Sequence, residues 1–192
     1  MLRKEKYVQP GWLDQLSDPD FAKRERAYHA LMDEWHQPIY RFLRTLLGSH
    51  ADAADATQNT FIQVLESVRG FRREAQFSTW LFAIARRKGL DVLRKRTRSI
   101  ELEFNAEFQD RLLALQSDVL FDGNEAEAHL HAAVLALPAR QREIFVLRYF
   151  QELPYQAISE ILQLSEGAVK ASYFHAKEKV RSRAMEELNA LR

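Results

Sequence analysis

Residues Leu137 to Arg183 read LPARQREIFVLRYFQELPYQAISEILQLSEGAVKASYFHAKEKVRSR, and this stretch decides the fold. Apolar residues recur in it at intervals of three and four, a spacing typical of helices with one buried face. Pro138 suits a first helical turn, and the pair Leu153-Pro154 ends one helix and admits the next. The first two predicted helices therefore bury Ile144, Phe145, Leu147, Ile158, Ile161 and Leu162.

A third helix is predicted to begin at Ser165, whose hydroxyl can cap free backbone N–H groups. Its apolar stripe should pack inward and consists of Val169, Tyr173, Ala176 and Val180. The opposite face mixes cations, a small residue and aromatic rings: Lys170, Ala171, Phe174, His175 and Lys177. Lysines can contact phosphates, and the other side chains have the size to meet base edges or thymine methyl groups. The stretch therefore predicts a helix-turn-helix that reads DNA in the major groove.

Two features of this stretch leave an alternative open. The spacing alone also fits a solvated amphipathic helix in a three-helix bundle. A generic helix-turn-helix has a small residue on its first helix and glycine at the turn, where this chain has Ser159 and Gln163. DNA binding is therefore a hypothesis that needs support from the rest of the chain.

Charge is segregated along the chain, although the formal net charge is only +1. Between Arg86 and Arg98 there are seven basic residues and one acid, whereas Ser99 to Glu127 carries eight acids and one base. Such a distribution indicates a phosphate-binding surface joined to an acidic linker. The length of 192 residues allows one ordinary domain or two small ones, and the scarcity of glycine and proline favours a largely helical chain.

The composition argues against catalysis. The absence of cysteine excludes disulfides, thiolate zinc sites and thiol chemistry. His129 and His131 are two residues apart and so lie on different sides of a helix, and the group His50, Asp52 and Asp55 has no matched fourth ligand. Phosphate-loop and nucleophile motifs are missing. We expect no metal, cofactor or small-molecule substrate and no enzymatic activity. Because no apolar run is long enough to cross a bilayer, we expect a cytoplasmic protein that is not inserted in a membrane.

The first half of the chain has the pattern of a separate helical unit. The apolar spacing predicts one helix over 21–47 and a second over about 51–68. A charged loop with two aromatic residues follows over 69–77, and Ser78 or Thr79 is placed to cap a basic helix.

The basic helix is predicted to bury Leu81, Ile84, Ala85 and Val92. Arg87, Asp91, Arg94 and Arg98 share another face that is open to phosphate, and Arg86 and Arg94 are the favoured phosphate contacts. The aromatic residues Phe77 and Trp80, at the start of this helix, are expected to pack in the core. Beyond residue 97 the helical pattern weakens into an acidic and partly apolar linker, followed by a short helix over about 125–135.

Three stretches, in this order, resemble a known family. They are DAADATQNTF (Asp52 to Phe61), FSTWLFAIARRKGLDVLRKR (Phe77 to Arg96) and LPARQREIFVLRYFQELPYQAISEILQLSEGAVK (Leu137 to Lys170). Together they are similar to bacterial RNA polymerase sigma factors of the extracytoplasmic-function (ECF) group, the compact type with regions 2 and 4 only. The resemblance implies an all-α protein of two small domains, with region 2 over 24–97, a flexible acidic linker over 98–126 and region 4 over 127–192. Residues 1–23 remain unassigned.

The resemblance implies an alternative sigma factor. Its partners would be core RNA polymerase (the β′ clamp and the β subunit), promoter DNA and an anti-sigma factor. The polymerase-binding residues would be Asp52, Asp55, Gln58 and Phe61, although Asp52 and Asp55 also stabilise a helix N-terminus. Opening the −10 element requires a flipped base to be held while cations bind the backbone. The residues implied there are Arg72, Arg73, Trp80, Arg86, Arg87 and Arg94, and those implied at the −35 element are Lys170, Ala171, Phe174, His175 and Lys177.

A stand-alone helix-turn-helix regulator is the main alternative. It would account for the predicted recognition helix but not for the Asp52 to Phe61 stretch or the basic helix. Such regulators usually bind palindromic sites as dimers, whereas a sigma factor binds an asymmetric promoter as one copy. A pure interaction module would make no DNA contact at all.

Overall fold

The computed structural model describes residues 9–100, 130 and 132–190, and these residues contain helices and turns but no strand. The main helices are α1 (Phe21–Leu47), α2 (His50–Ser67), α3 (Phe77–Ile100), α4 (Ala139–Phe145), α5 (Tyr155–Leu162) and α6 (Glu166–Ala190). They form two compact units, one centred on α1 to α3 and the other on α4 to α6. The prediction of an all-α protein with two helical units is confirmed. None of the described helices is long and apolar enough to cross a membrane.

Helix α1 has the predicted bounds because both of its ends are capped. The Asp20 carboxylate accepts a hydrogen bond from the backbone N–H of Ala22 at 2.9 Å. At the other end Gly48 has a left-handed φ of 71°, and its N–H donates to the carbonyl of Arg44 at 2.9 Å. Glycine suits this position because it has no Cβ to oppose a positive φ. The buried face of α1 includes Leu31, Trp35, Ile39, Phe42 and Leu43.

The core of the first unit is aromatic and centres on Phe82 of α3, which is fully buried. The centroid of its ring lies 5.5 Å from that of Phe42 and 6.2 Å from that of Trp35, both in edge-to-face geometry. This arrangement stabilises the core beyond the effect of burial alone. About two turns further along α3 comes Gly89, where a Cβ would lie 2.7 Å from Cδ2 of Leu46. Helices α1 and α3 therefore approach each other closely at this point, and a larger residue at position 89 would require the side chain of Leu46 to shift.

Helix α3 begins at Phe77, so the prediction that Ser78 or Thr79 caps it is wrong. Both side chains lie inside the first turn and are buried, with exposed fractions of 3% and 6%. The first N–H is instead satisfied from far away, because the Gln9 side-chain oxygen accepts from the N–H of Phe77 at 3.2 Å. A cap supplied by a residue 68 positions earlier leaves no local sequence signal. Helix α3 runs to Ile100 and so includes the first three residues of the segment 98–126 predicted as the linker, and residues 101–126 lie outside the described part of the chain.

The second unit has the three helices of the predicted helix-turn-helix. Pro138 lies directly before α4, and after Phe145 the backbone continues as a π-helical turn, Val146–Phe150. Helix α5 follows the Leu153-Pro154 pair as predicted, and residues 130 and 132–135 belong to the predicted short helix. The Ser165 hydroxyl accepts from the N–H of Ala168 at 3.2 Å, which confirms the predicted cap of α6.

Gln163 stands at the turn between α5 and α6 with a left-handed φ of 55°. The N–H of Leu164 donates to the carbonyl of Ser159 at 3.1 Å and closes the end of α5. This six-residue hydrogen bond around a left-handed residue is the arrangement that glycine usually occupies at a helix end. The off-pattern glutamine thus adopts the backbone conformation of the glycine it replaces, and its Cβ is strained there.

We expect the substitution Gln163→Gly to raise the free energy of unfolding of the second unit by about 0.5–1 kcal/mol, because it relieves that strain. Equilibrium unfolding followed by circular dichroism measures the effect. The matched control is Gln163→Ala, which removes the same side chain but keeps the Cβ and should bring no comparable gain. Equal stabilisation by both variants would mean that the backbone conformation is not the cause.

Candidate nucleic-acid interface

The outward face of α6 has the predicted composition. Val169 and Ala176 are fully buried and Val180 is 6% exposed, so these members of the apolar stripe pack inward as expected, whereas Tyr173 is only partly buried. The side chains of the opposite face are exposed, among them Phe174 with 61% of its surface open to solvent: Lys170, Ala171, Phe174, His175 and Lys177. Two cations and an uncovered ring on one helix face can contact phosphates and thymine methyl groups in a major groove.

Tyr155, at the start of α5, brings two cations together beside this face. The Arg148 guanidinium lies over the Tyr155 ring at 4.7 Å and donates to the carbonyl of Leu153 at 2.9 Å. The Lys170 ammonium lies 5.6 Å from the same ring and 3.0 Å from the Glu166 carboxylate. Cations held over an aromatic face lose part of their conformational freedom, which prepares them for phosphate contact.

Sequence reasoning missed Arg148, Tyr155 and Glu166 as members of this interface. A cation seven residues before a tyrosine carries no helical signal, because the turn between α4 and α5 separates them. Glu166 and Lys170 stand four residues apart on one helix, so that ion pair was recognisable from spacing.

Burial raises the pKa of the Tyr173 phenol. The neighbouring Tyr155 phenol also raises this pKa, because two phenolate charges would repel each other, while the positive charge of Arg148 opposes the rise. The phenol of Tyr173 therefore stays neutral at physiological pH.

The loop before α3 holds the two arginines predicted at the −10 element in different states. Arg72 is exposed. Arg73 has a positive φ of 59° and forms an ion pair with the carboxylate of Asp14. Both arginines are exposed, and they differ in that Arg73 is paired with Asp14.

Three aromatic rings surround the start of α3. Phe77 is 1% exposed, as predicted. Trp80 is only partly buried, so its predicted place in the core is correct in part. Its ring lies 4.8 Å from that of Phe71 at an angle of 31° and 5.7 Å from that of Phe77. The remaining open part of Trp80 can contact an unstacked base.

The cations of α3 divide between two faces. Arg87 and Arg94 are exposed, and Arg94 donates to the Asp91 carboxylate at 2.9 Å. Arg86 is partly buried and lies about 100° around the helix from Arg87. The side chain of Arg98 lies outside the described residues. Arg87 and Arg94 therefore form the phosphate-accessible face, and Arg86 lies at its edge.

The predicted polymerase-binding stripe on α2 needs a correction at Phe61. Asp55 and Gln58 are exposed and Asp52 is partly exposed, but Phe61 is only 3% exposed and stacks on His36 at 6.2 Å. Each step of three residues turns the stripe by about 60°, so Phe61 lies about half a turn away from Asp52 and faces the core.

The exposed apolar residues of α2 are instead Ile62 and Leu65, with exposed fractions of 47% and 42%. They continue the face of Asp55 and Gln58 at helical spacing. The i, i+3, i+4, i+7 rule would have found Ile62 when applied from Asp55 and Leu65 when applied from Gln58. This face, with acidic and polar groups at one end and aliphatic groups at the other, is called the α2 surface below.

The part of the chain that the structure describes contains no group of three histidine, aspartate or glutamate side chains arranged to hold a metal ion. Its exposed surfaces can contact nucleic acid and protein.

Comparison with known families assigns both units. The Sigma-70 region 2 family matches residues 31–99, and the Sigma-70, region 4 family matches residues 128–180. The ECF RNA polymerase sigma factor SigX of Bacillus subtilis is 31% identical over 168 residues, which cover 85% of this chain and 86% of SigX. The ECF RNA polymerase sigma factor SigW of the same organism is 28% identical over 164 residues, covering 81% and 87%.

Solved structures show the same fold. The sigma factor RpoE from Bartonella quintana, in complex with the anti-sigma factor NepR, superposes with a TM-score of 0.67 at 18% identity. The match covers 82% of this chain and 96% of that one. CnrH, in complex with the cytosolic domain of CnrY, superposes with a TM-score of 0.62 at 20% identity, covering 89% and 93%.

Proposed function

This chain belongs to the ECF group of RNA polymerase sigma factors, and we propose that its two helical units divide promoter recognition between them. It is an alternative sigma factor for transcription initiation, and it acts as an initiation factor rather than as a catalyst. Region 2, over 24–97, takes the −10 element and the polymerase, and region 4, over 127–192, takes the −35 element. Residues 98–126 link them. The observation that carries the proposal is the exposed cationic and aromatic face of α6 in a unit that matches region 4.

The α2 surface is the proposed contact with core polymerase. Its aliphatic end, formed by Ile62 and Leu65, supplies the apolar centre that protein interfaces usually have, and Asp55 and Gln58 supply a polar edge. Asp52 contributes from the first turn of α2, where its N–H donates to the Ser49 hydroxyl at 3.3 Å. Phe61 supports this surface from beneath.

At the −10 element, Trp80 and Phe71 are proposed to hold an unstacked base while cations bind the strand. Arg72, Arg87 and Arg94 are exposed around them and suit the phosphate backbone. Arg86 is proposed as a further contact at the edge of this face. Each base that is held outside the duplex offsets part of the free energy that strand separation costs during initiation.

At the −35 element, Lys170 and Lys177 are proposed to bind phosphates, and Ala171, Phe174 and His175 to meet base edges. A stand-alone helix-turn-helix regulator would also present such a face. That alternative is not favoured, because it leaves the region 2 match over residues 31–99 unexplained.

An anti-sigma protein is a further proposed partner, and the α2 surface is where it would compete with polymerase. The solved sigma factor RpoE named above was captured with such a partner, the anti-sigma factor NepR. The site of action is proposed to be the cytoplasm, because the polymerase works there.

Reconstitution tests the proposal as a whole. The full chain, mixed with core RNA polymerase, is expected to form a holoenzyme and to direct transcripts from specific promoters in a genomic library. A chain that does not bind core polymerase, or that binds it and yields no promoter-specific transcript, contradicts the proposed function.

Replacing Lys170 with alanine is expected to weaken binding of the holoenzyme to a −35 duplex by about three- to tenfold at low salt. It should also reduce the slope of log affinity against log salt concentration by about 1, because one phosphate contact is lost. The matched control is Lys179→Ala. Lys179 is on the same helix, about half a turn around it from Lys170, and contacts Gln141 at 3.1 Å. Equal salt slopes for the two variants would rule out the assignment of Lys170.

A further inference from the structure

The segment before α1 packs against the loop that leads into α3. It contains a short 3₁₀ turn, Leu13–Ser17, in which Leu13 and Leu16 are 4% and 6% exposed. The segment precedes the part of the chain that matches the region 2 family, which begins at residue 31. Its burial is therefore a feature of this chain that the family assignment does not account for.

Gln9 makes the most specific contacts of this segment. Its amide nitrogen donates to the carbonyl of Ala75 at 3.0 Å, and its amide oxygen accepts from the N–H of Phe77 at 3.2 Å. One side chain thus bridges two backbone groups on either side of the point where the loop becomes helix. The amide both fixes the direction in which the loop enters α3 and satisfies a free helical N–H.

Trp12 and Asp14 hold the same region from two other directions. The Trp12 ring meets that of Phe77 at 5.3 Å in edge-to-face geometry, and its indole N–H donates to the Glu34 carboxylate at 3.2 Å. The Asp14 carboxylate pairs with Arg73, which holds a positive φ of 59°. A non-glycine residue in this conformation persists only when its surroundings support it.

We propose that residues 9–18 are a brace that presets the loop 71–76 for capture of the −10 strand, and that Gln9 is its main positioning residue. The inference rests on the proposed function of region 2. A loop that is already in its binding conformation loses less conformational freedom when DNA binds, and the strand is therefore held more tightly. Gln9 acts through the backbone of the loop and does not touch DNA.

Holoenzyme that carries Gln9→Leu tests the brace. The probe is a single-stranded oligonucleotide from the non-template −10 region of a promoter that the wild-type holoenzyme transcribes. We expect its affinity to fall about five- to twentyfold, the effect of losing two hydrogen bonds that order the loop. Affinity for a −35 duplex and for core polymerase should stay unchanged. The matched control is Gln15→Leu, because Gln15 lies in the same segment with its side chain exposed.

A second pair of variants separates positioning from folding. Trp12→Phe keeps an aromatic edge against Phe77 and should retain most of the oligonucleotide affinity, whereas Trp12→Ala should lose it to the same extent as Gln9→Leu. All measurements are made well below the melting temperature of each variant, where a merely structural role would leave −10 binding by the folded protein unchanged.

The possible outcomes are distinct. Two outcomes would contradict the proposal that residues 9–18 preset the loop and leave the proposed function intact. In one, Gln9→Leu binds the oligonucleotide like the wild type; in the other, the affinities for the −10 oligonucleotide, the −35 duplex and core polymerase all fall together. If the wild-type holoenzyme itself fails to bind the −10 oligonucleotide, both the proposed role of region 2 and the brace are wrong.

Discussion

Leu65→Asp is expected to weaken binding of the chain to core RNA polymerase by about thirtyfold to several hundredfold. Leu65 is 42% exposed and, with Ile62, forms the aliphatic end of the α2 surface. A carboxylate at that position would have to lose its water in the complex without gaining a partner, which costs on the order of 2–4 kcal/mol at the centre of an interface. Titration of fluorescently labelled core polymerase with each variant measures the effect.

The substitution should leave folding intact, because the side chain is open to solvent in the free protein. The matched control is Phe21→Asp, in the first turn of α1, where the phenylalanine is 68% exposed. An acid is favourable at a helix N-terminus, so this control adds the same charge to the same unit without a folding penalty. Similar affinities of the two variants for core polymerase would rule out the α2 surface as the site that binds polymerase.

Phe82→Ala is expected to lower the free energy of unfolding of the first unit by about 3–5 kcal/mol. Phe82 is fully buried between Phe42 and Trp35, and truncation leaves a cavity that these rings can fill only in part. Such a loss is a large share of the total stability of an ordinary domain, about 5–15 kcal/mol. All three tryptophans, Trp12, Trp35 and Trp80, belong to this unit, so denaturant unfolding followed by tryptophan fluorescence reports on it alone.

The matched control for Phe82→Ala removes the same side chain from the surface. Phe174→Ala, at a position 61% exposed, should change the free energy of unfolding by no more than about 0.5 kcal/mol while it weakens −35 binding. If Phe174→Ala were as destabilising as Phe82→Ala, the ring would be part of a core and the proposed recognition face would be wrong.

The outward face of α6 was predictable from spacing because every residue in it belongs to one regular helix. The positions of Val169 and Ala176 determine which side of the helix faces the core, so Phe174 and His175 point away from the core. Helix α1 was equally predictable, since Asp20 and Gly48 are local start and stop signals.

Prediction failed where a three-residue rule was extended too far or where a partner was distant. The stripe from Asp52 to Phe61 rotates around α2, so its last member faces the core, and Ile62 and Leu65 take its place at the surface. The cap of α3 comes from Gln9, which no reading of residues 76–79 could reveal.

By itself the sequence determined the helices, their two-unit arrangement and the sigma-factor family, because helix periodicity, caps and motif order are properties of neighbouring residues. Only the tertiary structure decided which side chains those helices leave exposed and which are already engaged. Arg73 pairs with Asp14, and the Tyr155 ring contacts both Arg148 and Lys170. Gln9 forms a hydrogen bond with the backbone of the loop before α3. These contacts join residues that lie far apart in the chain or across a turn, so they depend on how the backbone folds back on itself and not on any local pattern.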